Sequence, residues 1–323
     1  HLGRQSGGDV IMKLACVFPG QGSQAVGMLA DFRQEPEVAG LFNLADQTLG
    51  EPALSGLIDN GPAESLALTT NTQPAMLIAA LGCYRVWLAA GGRAADMVAG
   101  HSLGEYTALV AAGVLADDAA IALTRLRADA MQSAVPVGVG SMAAILGLAD
   151  DVVAQVCAEA SNGAESQVGP ANFNAPAQVV IAGHAEAVTR ACALAKEKGA
   201  KRALPLAVSA PFHSELLRPA GVRLADALQS LTLNRPTVPL INNVDVAVND
   251  EPAAIADALV RQAYSPVRWV ESVRKMQEMG ATHIIEFGPG KVLTGLVGRI
   301  DRSIKAACVH DRASLQAALE MLA

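Results

Sequence analysis

The chain has 323 residues, of which 51% are hydrophobic and 17% charged, so it can bury a large core. A net charge of −7 and the lack of a basic run with interleaved aromatic residues argue against a nucleic-acid partner. The five cysteines are scattered and form no C-x-x-C pair, which indicates a reducing compartment with neither a disulfide framework nor a zinc site. The sequence therefore predicts a cytoplasmic globular protein without a metal.

Residues 1–11 precede a methionine and are interpreted as the remnant of a tag. Nothing resembles a signal peptide, and the longest apolar stretch, 74–91, is interrupted by Gly82 and Arg85. We therefore expect that stretch to be a buried helix, and expect no membrane association. Residues 12–136 should form the first part of a large α/β domain. Its predicted elements are strands at 14–18 and 95–99 and helices at 72–90 and from an Asp117 cap to about 133.

The pattern of predicted strands and helices changes between residues 137 and 208. The pattern there predicts strands and helices in the order βαββαβ, which is the ferredoxin-like arrangement. The predicted positions are 141–147, 150–160, 171–173, 178–182, 185–198 and 201–206. Residues 209–323 return to α/β alternation, with strands at 238–241, 283–287 and 305–309. The predicted fold class is α/β, with a large hydrolase-like parallel-sheet domain, an inserted ferredoxin-like subdomain and a cleft between them.

The stretch Gly100-His101-Ser102-Leu103-Gly104 fits the G-x-S-x-G pattern of a nucleophile elbow. An apolar run precedes it and good helix formers follow it, so Ser102 is predicted on a strand-to-helix turn. The flanking glycines would let the turn tighten, and the helix N-terminus would supply free N–H groups beneath the hydroxyl. The pentapeptide alone is equally compatible with an ordinary strand–turn–helix.

A serine nucleophile needs a base, and His213 is the favoured histidine. It lies where the inserted subdomain returns to the large domain, so it should face the cleft, and imidazole is suited to moving protons near neutral pH. A helix-capping role before residues 215–229 is the alternative. On the helix after the elbow, Arg125 has Asp129 at i+4, whereas Arg127 has no acidic neighbour. Arg127 must therefore pair with an acid from another element or bind an anion of a ligand.

Several motifs occur together in an order that resembles the malonyl-CoA:acyl carrier protein transacylases and the related acyltransferase domains of polyketide and fatty acid synthases. The resemblance runs from Met12 to the C-terminus, and because this chain begins and ends with the domain, it favours the stand-alone enzyme of type II fatty acid synthesis. The motifs are Phe18-Pro19-Gly20-Gln21-Gly22-Ser23-Gln24, Gly100-His101-Ser102-Leu103-Gly104-Glu105-Tyr106, Arg127, Phe212-His213, Leu259-Val260-Arg261-Gln262 and Phe287-Gly288-Pro289-Gly290.

The resemblance implies a role for each motif residue. Ser102 would form a malonyl ester, with His213 as the base and the backbone carbonyl of Gln262 orienting the imidazole. The backbone N–H groups of Gln21 and Leu103 would form the oxyanion hole.

The resemblance also implies the residues that select the substrate. Arg127 would hold the malonyl carboxylate, and an acetyl group would leave the guanidinium unpaired. Phe212 and Met131 would line the acyl pocket.

The expected partners are malonyl-CoA and acyl carrier protein, the expected protein is a monomer, and no cofactor is expected because the thioester and phosphopantetheine come with the substrates. Two other classes stay open at this stage. A serine hydrolase or thioesterase shares the elbow, although the more than one hundred residues after His213 do not fit its usual order of catalytic residues. A non-enzymatic scaffold that docks carriers would keep the fold without needing Ser102, Arg127 and His213. A polyketide-pathway acyltransferase is a third alternative.

Overall fold

The computed structural model describes residues 11–208 and 210–323. Residues 1–10 of the predicted tag remnant lie outside the described residues, as does Ser209, where the third predicted segment begins. The described strands are β1 (Leu14–Phe18), β2 (Met97–Gly100), β3 (Gly140–Leu146), β4 (Val168–Ala175), β5 (Gln178–His184), β6 (Arg202–Pro205), β7 (Leu240–Ile241), β8 (His283–Phe287) and β9 (Lys305–Val309).

Thirteen α-helices are found in the described ranges. They are α1 (Pro36–Leu49), α2 (Leu54–Asn60), α3 (Ala63–Leu66), α4 (Thr69–Ala89), α5 (Gly104–Ala111), α6 (Asp117–Ser133), α7 (Asp150–Ala160), α8 (Ala185–Glu197), α9 (Arg218–Gln229), α10 (Pro252–Gln262), α11 (Trp269–Glu278), α12 (Val292–Ile300) and α13 (Arg312–Leu322). Within these ranges, no helix combines the length and the apolarity needed to cross a bilayer.

The large sheet has five strands in the order β7-β2-β1-β8-β9, and every neighbouring pair is parallel. All five residues of β1 are buried. Leu14, Cys16 and Phe18 pack into one hydrophobic cluster, whereas Ala15 and Val17 pack into another. Helices therefore cover both faces of the sheet, which explains why β1 and β2 are continuous apolar runs rather than alternating ones. The predicted α/β class is confirmed.

The small sheet has the order β4-β5-β3-β6, and its neighbouring strands are antiparallel. Helices α7 and α8 lie between its strands in sequence, so the chain follows the predicted βαββαβ order. Strand β4 runs from Val168 to Ala175 and is longer than the predicted 171–173. Its register is irregular near Pro170. Proline is typical of strand edges and bulges, so the residues before 171 were not predicted as strand.

Backbone hydrogen bonds join the two sheets. The N–H of Phe173 in β4 donates to the carbonyl of Val267 at 2.9 Å, and the N–H of Val267 donates to the carbonyl of Ala171 at 2.8 Å. Val267 lies just before α11, so one end of the small sheet is fixed to the large sheet's helical layer. The division into segments 12–136, 137–208 and 209–323 stays a prediction at its boundaries.

Two helix starts differ from the predictions. Helix α4 begins at Thr69 rather than 72, because Thr72 donates from its hydroxyl to the carbonyls of Leu66 and Leu68 and stabilises an extra polar turn. The predicted Asp117 cap is wrong, since Asp117 is the first residue of α6 and Ala116 precedes the helix without a side-chain cap. The Asp117 carboxylate instead accepts two hydrogen bonds from Arg85, at 2.6 and 2.7 Å.

Candidate active site

Ser102 lies on a sharp turn between β2 and α5, in the left-handed region of backbone space with φ of 55°. A Cβ atom on Gly100 would lie 1.9 Å from the backbone of Gly104, and one on Gly104 would lie 2.0 Å from the carbonyl oxygen of Phe18. Only glycine fits at either position, because these approaches are with backbone atoms that cannot move aside. The two glycines thus allow the bend that raises the Ser102 hydroxyl above the parallel sheet.

The imidazole of His213 lies against this hydroxyl. His213 Nε2 is 2.7 Å from Ser102 Oγ, and His213 Nδ1 is 2.8 Å from the carbonyl oxygen of Gln262. A carbonyl oxygen can only accept, so Nδ1 carries the proton and Nε2 accepts from the serine hydroxyl. His213 is buried and, like Ser102, has a left-handed backbone, with φ of 59°. The imidazole is therefore oriented as a base toward Ser102, and a helix-capping role for its side chain is excluded.

Arg127 on α6 is 99% buried without a carboxylate partner. Its Nη1 donates to Gln73 Oε1 at 2.7 Å, and its Nη2 donates to Gln262 Oε1 at 2.9 Å and to Ser102 Oγ at 3.3 Å. In the described parts of the chain it forms no ion pair, and its Nε has no hydrogen-bond partner. The alternative of a salt bridge to a distant acid is therefore wrong. A buried positive charge beside a nucleophile is suited to binding an anionic substrate group.

Arg125, two residues before Arg127 on α6, does not form the predicted ion pair with Asp129. Its Nε donates to the carbonyl of Thr70 at 2.8 Å, whereas Asp129 accepts from the hydroxyl of Thr70. The expected i,i+4 ion pair is absent among the described contacts because the N-terminal end of α4 packs against α6 and takes both partners. Arg125 therefore has a structural role away from Ser102.

The loop after β1 packs against the elbow. A Cβ atom on Gly20 would lie 2.6 Å from the carbonyl oxygen of His101 and 3.7 Å from the backbone nitrogen of Leu103. Gln21 follows Gly20, and its side chain donates to the hydroxyl of Thr69 at 3.1 Å. The structure thus brings Gln21 and Leu103 to one side of the same cavity. Their contribution to an oxyanion hole stays a prediction.

A cavity of about 490 Å³ opens onto Ser102, His213 and Arg127. Phe212 and Met131 also line it, as predicted for the acyl pocket by position. Phe212 packs against Met131 on one side and against residues of the small sheet on the other. The cavity therefore lies between the two sheets, and all eight residues proposed from the sequence line it or contact residues that do.

The sequence interpretation missed four polar residues that organise this site. Gln73 and Asn243 are buried and hydrogen-bond directly to Arg127 and to the elbow, respectively. His101 donates to Asn174 Oδ1 of the small sheet at 2.7 Å. Two signals were available, namely a glutamine within the apolar run of α4 and an asparagine directly after a buried parallel strand, where ligand sites of α/β folds form.

The pH dependence of the Ser102–His213 pair provides a prediction. Burial, and next the positive charge of Arg127, lower the pKa of His213 to about 3. His213 then stays neutral, and able to accept a proton, far below the usual histidine pKa. We expect acylation of Ser102 to stay flat from pH 8 to 5 in a pre-steady-state burst assay, whereas an imidazole of pKa 6.5 would lose about 30-fold by pH 5. A half-maximal rate near pH 6.5 would contradict this.

Glu105 requires a control in that experiment, because burial raises its pKa to about 7. The Glu105→Gln variant removes this titration. Its rate should be equally flat, so that any loss shared by wild type and variant is assigned to His213.

Comparisons with known proteins agree with this geometry. The family described as "Acyl transferase domain" matches residues 15–312. The malonyl CoA-acyl carrier protein transacylase of Escherichia coli K12 is 52% identical over 310 residues, which cover 96% of this chain and 99% of that protein. The crystal structure of an acyl-carrier-protein S-malonyltransferase from Burkholderia pseudomallei 1710b is 58% identical, with a TM-score of 0.93, and covers 96% of this chain and all of that one.

A third relative was solved with a partner. It is a malonyl-transacylase in complex with a type II PKS acyl-carrier protein, 49% identical, with a TM-score of 0.93, covering 96% of this chain and 99% of that one. A serine–histidine pair on a parallel α/β sheet, with a buried arginine at the nucleophile, fits acyl transfer through a serine ester, and the family match assigns the chain to the acyltransferase class of enzymes. The chain belongs to the acyl transferase domain family and, within it, to the malonyl CoA-acyl carrier protein transacylases.

Proposed function

We propose that this enzyme moves a malonyl group from coenzyme A to the phosphopantetheine thiol of acyl carrier protein, through a malonyl ester on Ser102, and so supplies fatty acid elongation. The observation that carries the proposal is the Arg127 guanidinium, which lies 3.3 Å from Ser102 Oγ and has glutamine oxygens rather than a carboxylate around it. The names of the relatives support the same reaction.

The first half-reaction uses the Ser102–His213 hydrogen bond. His213 Nε2 takes the hydroxyl proton as Ser102 Oγ attacks the thioester carbonyl, and the proton then passes to the sulfur of coenzyme A as the C–S bond breaks. In the second half-reaction the same nitrogen takes the proton of the carrier thiol as its sulfur attacks the malonyl ester. The proton then passes to Ser102 Oγ as the ester C–O bond breaks, which restores the free hydroxyl and the neutral imidazole. The carbonyl of Gln262 keeps Nδ1 protonated throughout, because a neutral acceptor is sufficient to fix the tautomer.

Charge develops on the carbonyl oxygen in both half-reactions. We assign its stabilisation to the backbone N–H groups of Leu103, at the start of α5, and Gln21, in the loop packed against it. Removing one donor of this kind typically costs about 3–4 kcal/mol of transition-state stabilisation. Arg127 would pair with the free malonyl carboxylate, and Phe212 and Met131 would limit the space beside the acyl group.

Other features of the proposal follow from the same set of groups. Ser102, His213 and Arg127 supply the nucleophile, the base and the anion site, so we propose that the reaction needs no cofactor or metal beyond what the substrates carry. We also propose a cytoplasmic monomer that binds no nucleic acid. The scattered free thiols support the cytoplasmic location, and the acidic net charge supports the absence of nucleic-acid binding.

The test is intact-mass spectrometry of the protein mixed with malonyl-CoA, before and after addition of holo acyl carrier protein. We expect one malonyl adduct per chain that disappears as the malonyl carrier forms. A hydrolase would instead release free malonate at the same rate whether or not the carrier is present, and a scaffold would show no adduct. Either result would overturn the proposal.

A further inference from the structure

Asn243 is a fully buried asparagine that no step of the proposed reaction uses. It follows β7, which is the neighbour of β2 in the large sheet, so it lies at the carboxyl end of the strand beside the elbow. Its side chain does not line the cavity around Ser102. It therefore acts on the site, if at all, through other residues.

Both ends of its side-chain amide bond to the elbow. Asn243 Nδ2 donates to the carbonyl of Gly100 at 2.7 Å, and Asn243 Oδ1 accepts from the backbone N–H of Ser102 at 2.8 Å. These two peptide groups flank His101 and fix the segment in which the chain turns into the left-handed conformation of Ser102. A non-glycine residue in that region persists only where surrounding contacts hold it.

The same amide also orients Gln262. Asn243 Oδ1 accepts from Gln262 Nε2 at 3.2 Å, and Gln262 Nε2 donates as well to the carbonyl of Ser102 at 3.0 Å. With the Nε2 group so placed, Gln262 Oε1 faces Arg127, from which it accepts at 2.9 Å. If the asparagine amide were reversed, a donor would face the Ser102 N–H and an acceptor would face the Gly100 carbonyl. One orientation alone satisfies all three groups that the asparagine amide contacts.

The backbone of Asn243 is held too. Its N–H donates to the buried carboxylate of Glu105 at 2.7 Å, and its carbonyl accepts from the N–H of Arg268 at 3.2 Å. Every polar group of the residue is therefore satisfied within 3.2 Å. Such a fully bonded polar network is rigid and specifies one geometry.

We infer that Asn243 is a positioning residue for the proposed transfer, which holds Ser102 in its reactive backbone conformation and aligns Gln262 with Arg127. This inference rests on the proposed function only for its effect on malonyl transfer. Its effect on the reactivity of the Ser102 hydroxyl can be measured without malonyl-CoA, with an alkyl fluorophosphonate that phosphonylates activated serines. Failure of the two proposals is thus distinguishable.

The test compares Asn243→Ala with Asn242→Ala. Asn242 is a buried neighbour whose side chain, among the described contacts, accepts from the backbone N–H groups of Asp245 and Ala247 and does not reach the elbow, so it controls for loss of a buried amide. We expect Asn243→Ala to lower both the rate of phosphonylation and kcat by about 10²-fold, with KM for malonyl-CoA within twofold of wild type. Asn242→Ala should keep both rates, even with a lower Tm. Equal rates in Asn243→Ala and wild type, or equal losses in both variants, would overturn the inference.

A second variant keeps the test decisive if Asn243→Ala does not fold. Asn243→Asp retains the shape but places a carboxylate oxygen against the Gly100 carbonyl, and a protonated carboxyl restores a donor there. Three charged or titratable residues adjoin it, namely Glu105 at its backbone N–H, Arg268 at its carbonyl and His101 between the two peptide groups that it binds. Arg127 and Asp245 act on Glu105, and His213 contacts Ser102 and Gln262.

The rate of phosphonylation of Asn243→Asp relative to wild type should rise at least tenfold from pH 8 to 5.5, as the carboxyl gains its proton. Both proteins carry Glu105→Gln in this comparison, because a carboxyl at position 243 would change the titration of the Glu105 carboxyl that contacts it. A constant ratio across this range would overturn the inference.

Discussion

Replacing Ser102 with alanine is expected to abolish the malonyl adduct and to lower malonyl transfer by about 10⁵–10⁶-fold, which is the scale seen when a nucleophile that acts as a unit with its base is removed. The structure gives the reason, since the hydroxyl at 2.7 Å from His213 is the atom that the arrangement activates. Intact-mass spectrometry and a carrier-loading assay measure the two effects.

Ser133→Ala is the matched control for this variant. Ser133 is the last residue of α6, the helix that carries Arg127, and its hydroxyl donates to the carbonyl of Asp129 one turn earlier. It should form the adduct at the wild-type rate. Transfer that survives in Ser102→Ala at more than about one thousandth of the wild-type rate would refute Ser102 as the nucleophile.

Replacing Arg127 with glutamine should change which acyl group is accepted. Truncating one member of a buried charged pair typically costs 2–5 kcal/mol, so kcat/KM for malonyl-CoA should fall by about 30- to 3,000-fold. Acetyl-CoA has no carboxylate to lose, so its kcat/KM should stay within a few fold of wild type. Competition between the two thioesters, measured by the mass of the serine adduct, gives the ratio directly.

The structure refines the reason for this selectivity. An acetyl group would not leave the guanidinium wholly unpaired, because Gln73 and Gln262 already bond to Arg127. Selectivity for malonyl should therefore come from the added ion pair rather than from a penalty on acetyl.

Arg125→Gln controls for removal of a positive charge from the same helix. It bonds to the carbonyl of Thr70 and does not line the cavity, so it should leave the malonyl-to-acetyl ratio unchanged. An unchanged ratio in Arg127→Gln would mean that the malonyl carboxylate is bound elsewhere.

The fold could be predicted where the local sequence decides it. Strand β1 occupies the predicted residues because its uninterrupted apolar run suits a parallel sheet buried on both faces. Strands β8 and β9 also match, although they contain Glu286 and Lys305, because apolar residues still dominate each short run. Strand β4 was predicted too short because Pro170 is tolerated there only through a register irregularity. Helix α4 begins earlier than predicted because the Thr72 hydroxyl stabilises its first turn. That turn is polar, so the apolar pattern did not include it.

The site could be predicted only in part, for a similar reason. Ser102 stands out because glycines must flank a tight turn, and Arg127 because its helix offers it no acid. Gln73 and Asn243 each left a signal in the sequence, but their partners could not be predicted, since those hydrogen bonds form only when distant segments meet. Gln262 was predicted in part. Its backbone carbonyl was expected near His213 and lies there, whereas the contacts of its side chain with Arg127 and Ser102 were not expected.

The hydrogen bonds between β4 and Val267 have a consequence for how the molecule melts. Losing the small sheet would strip Val267 of both backbone partners and would release Asn174 from His101, one residue before the nucleophile. Neither sheet can therefore disassemble without exposing buried polar groups of the other, which makes unfolding cooperative across both. A core substitution that leaves a cavity in the small sheet, far from the nucleophile, would thus lower the Tm of the whole enzyme.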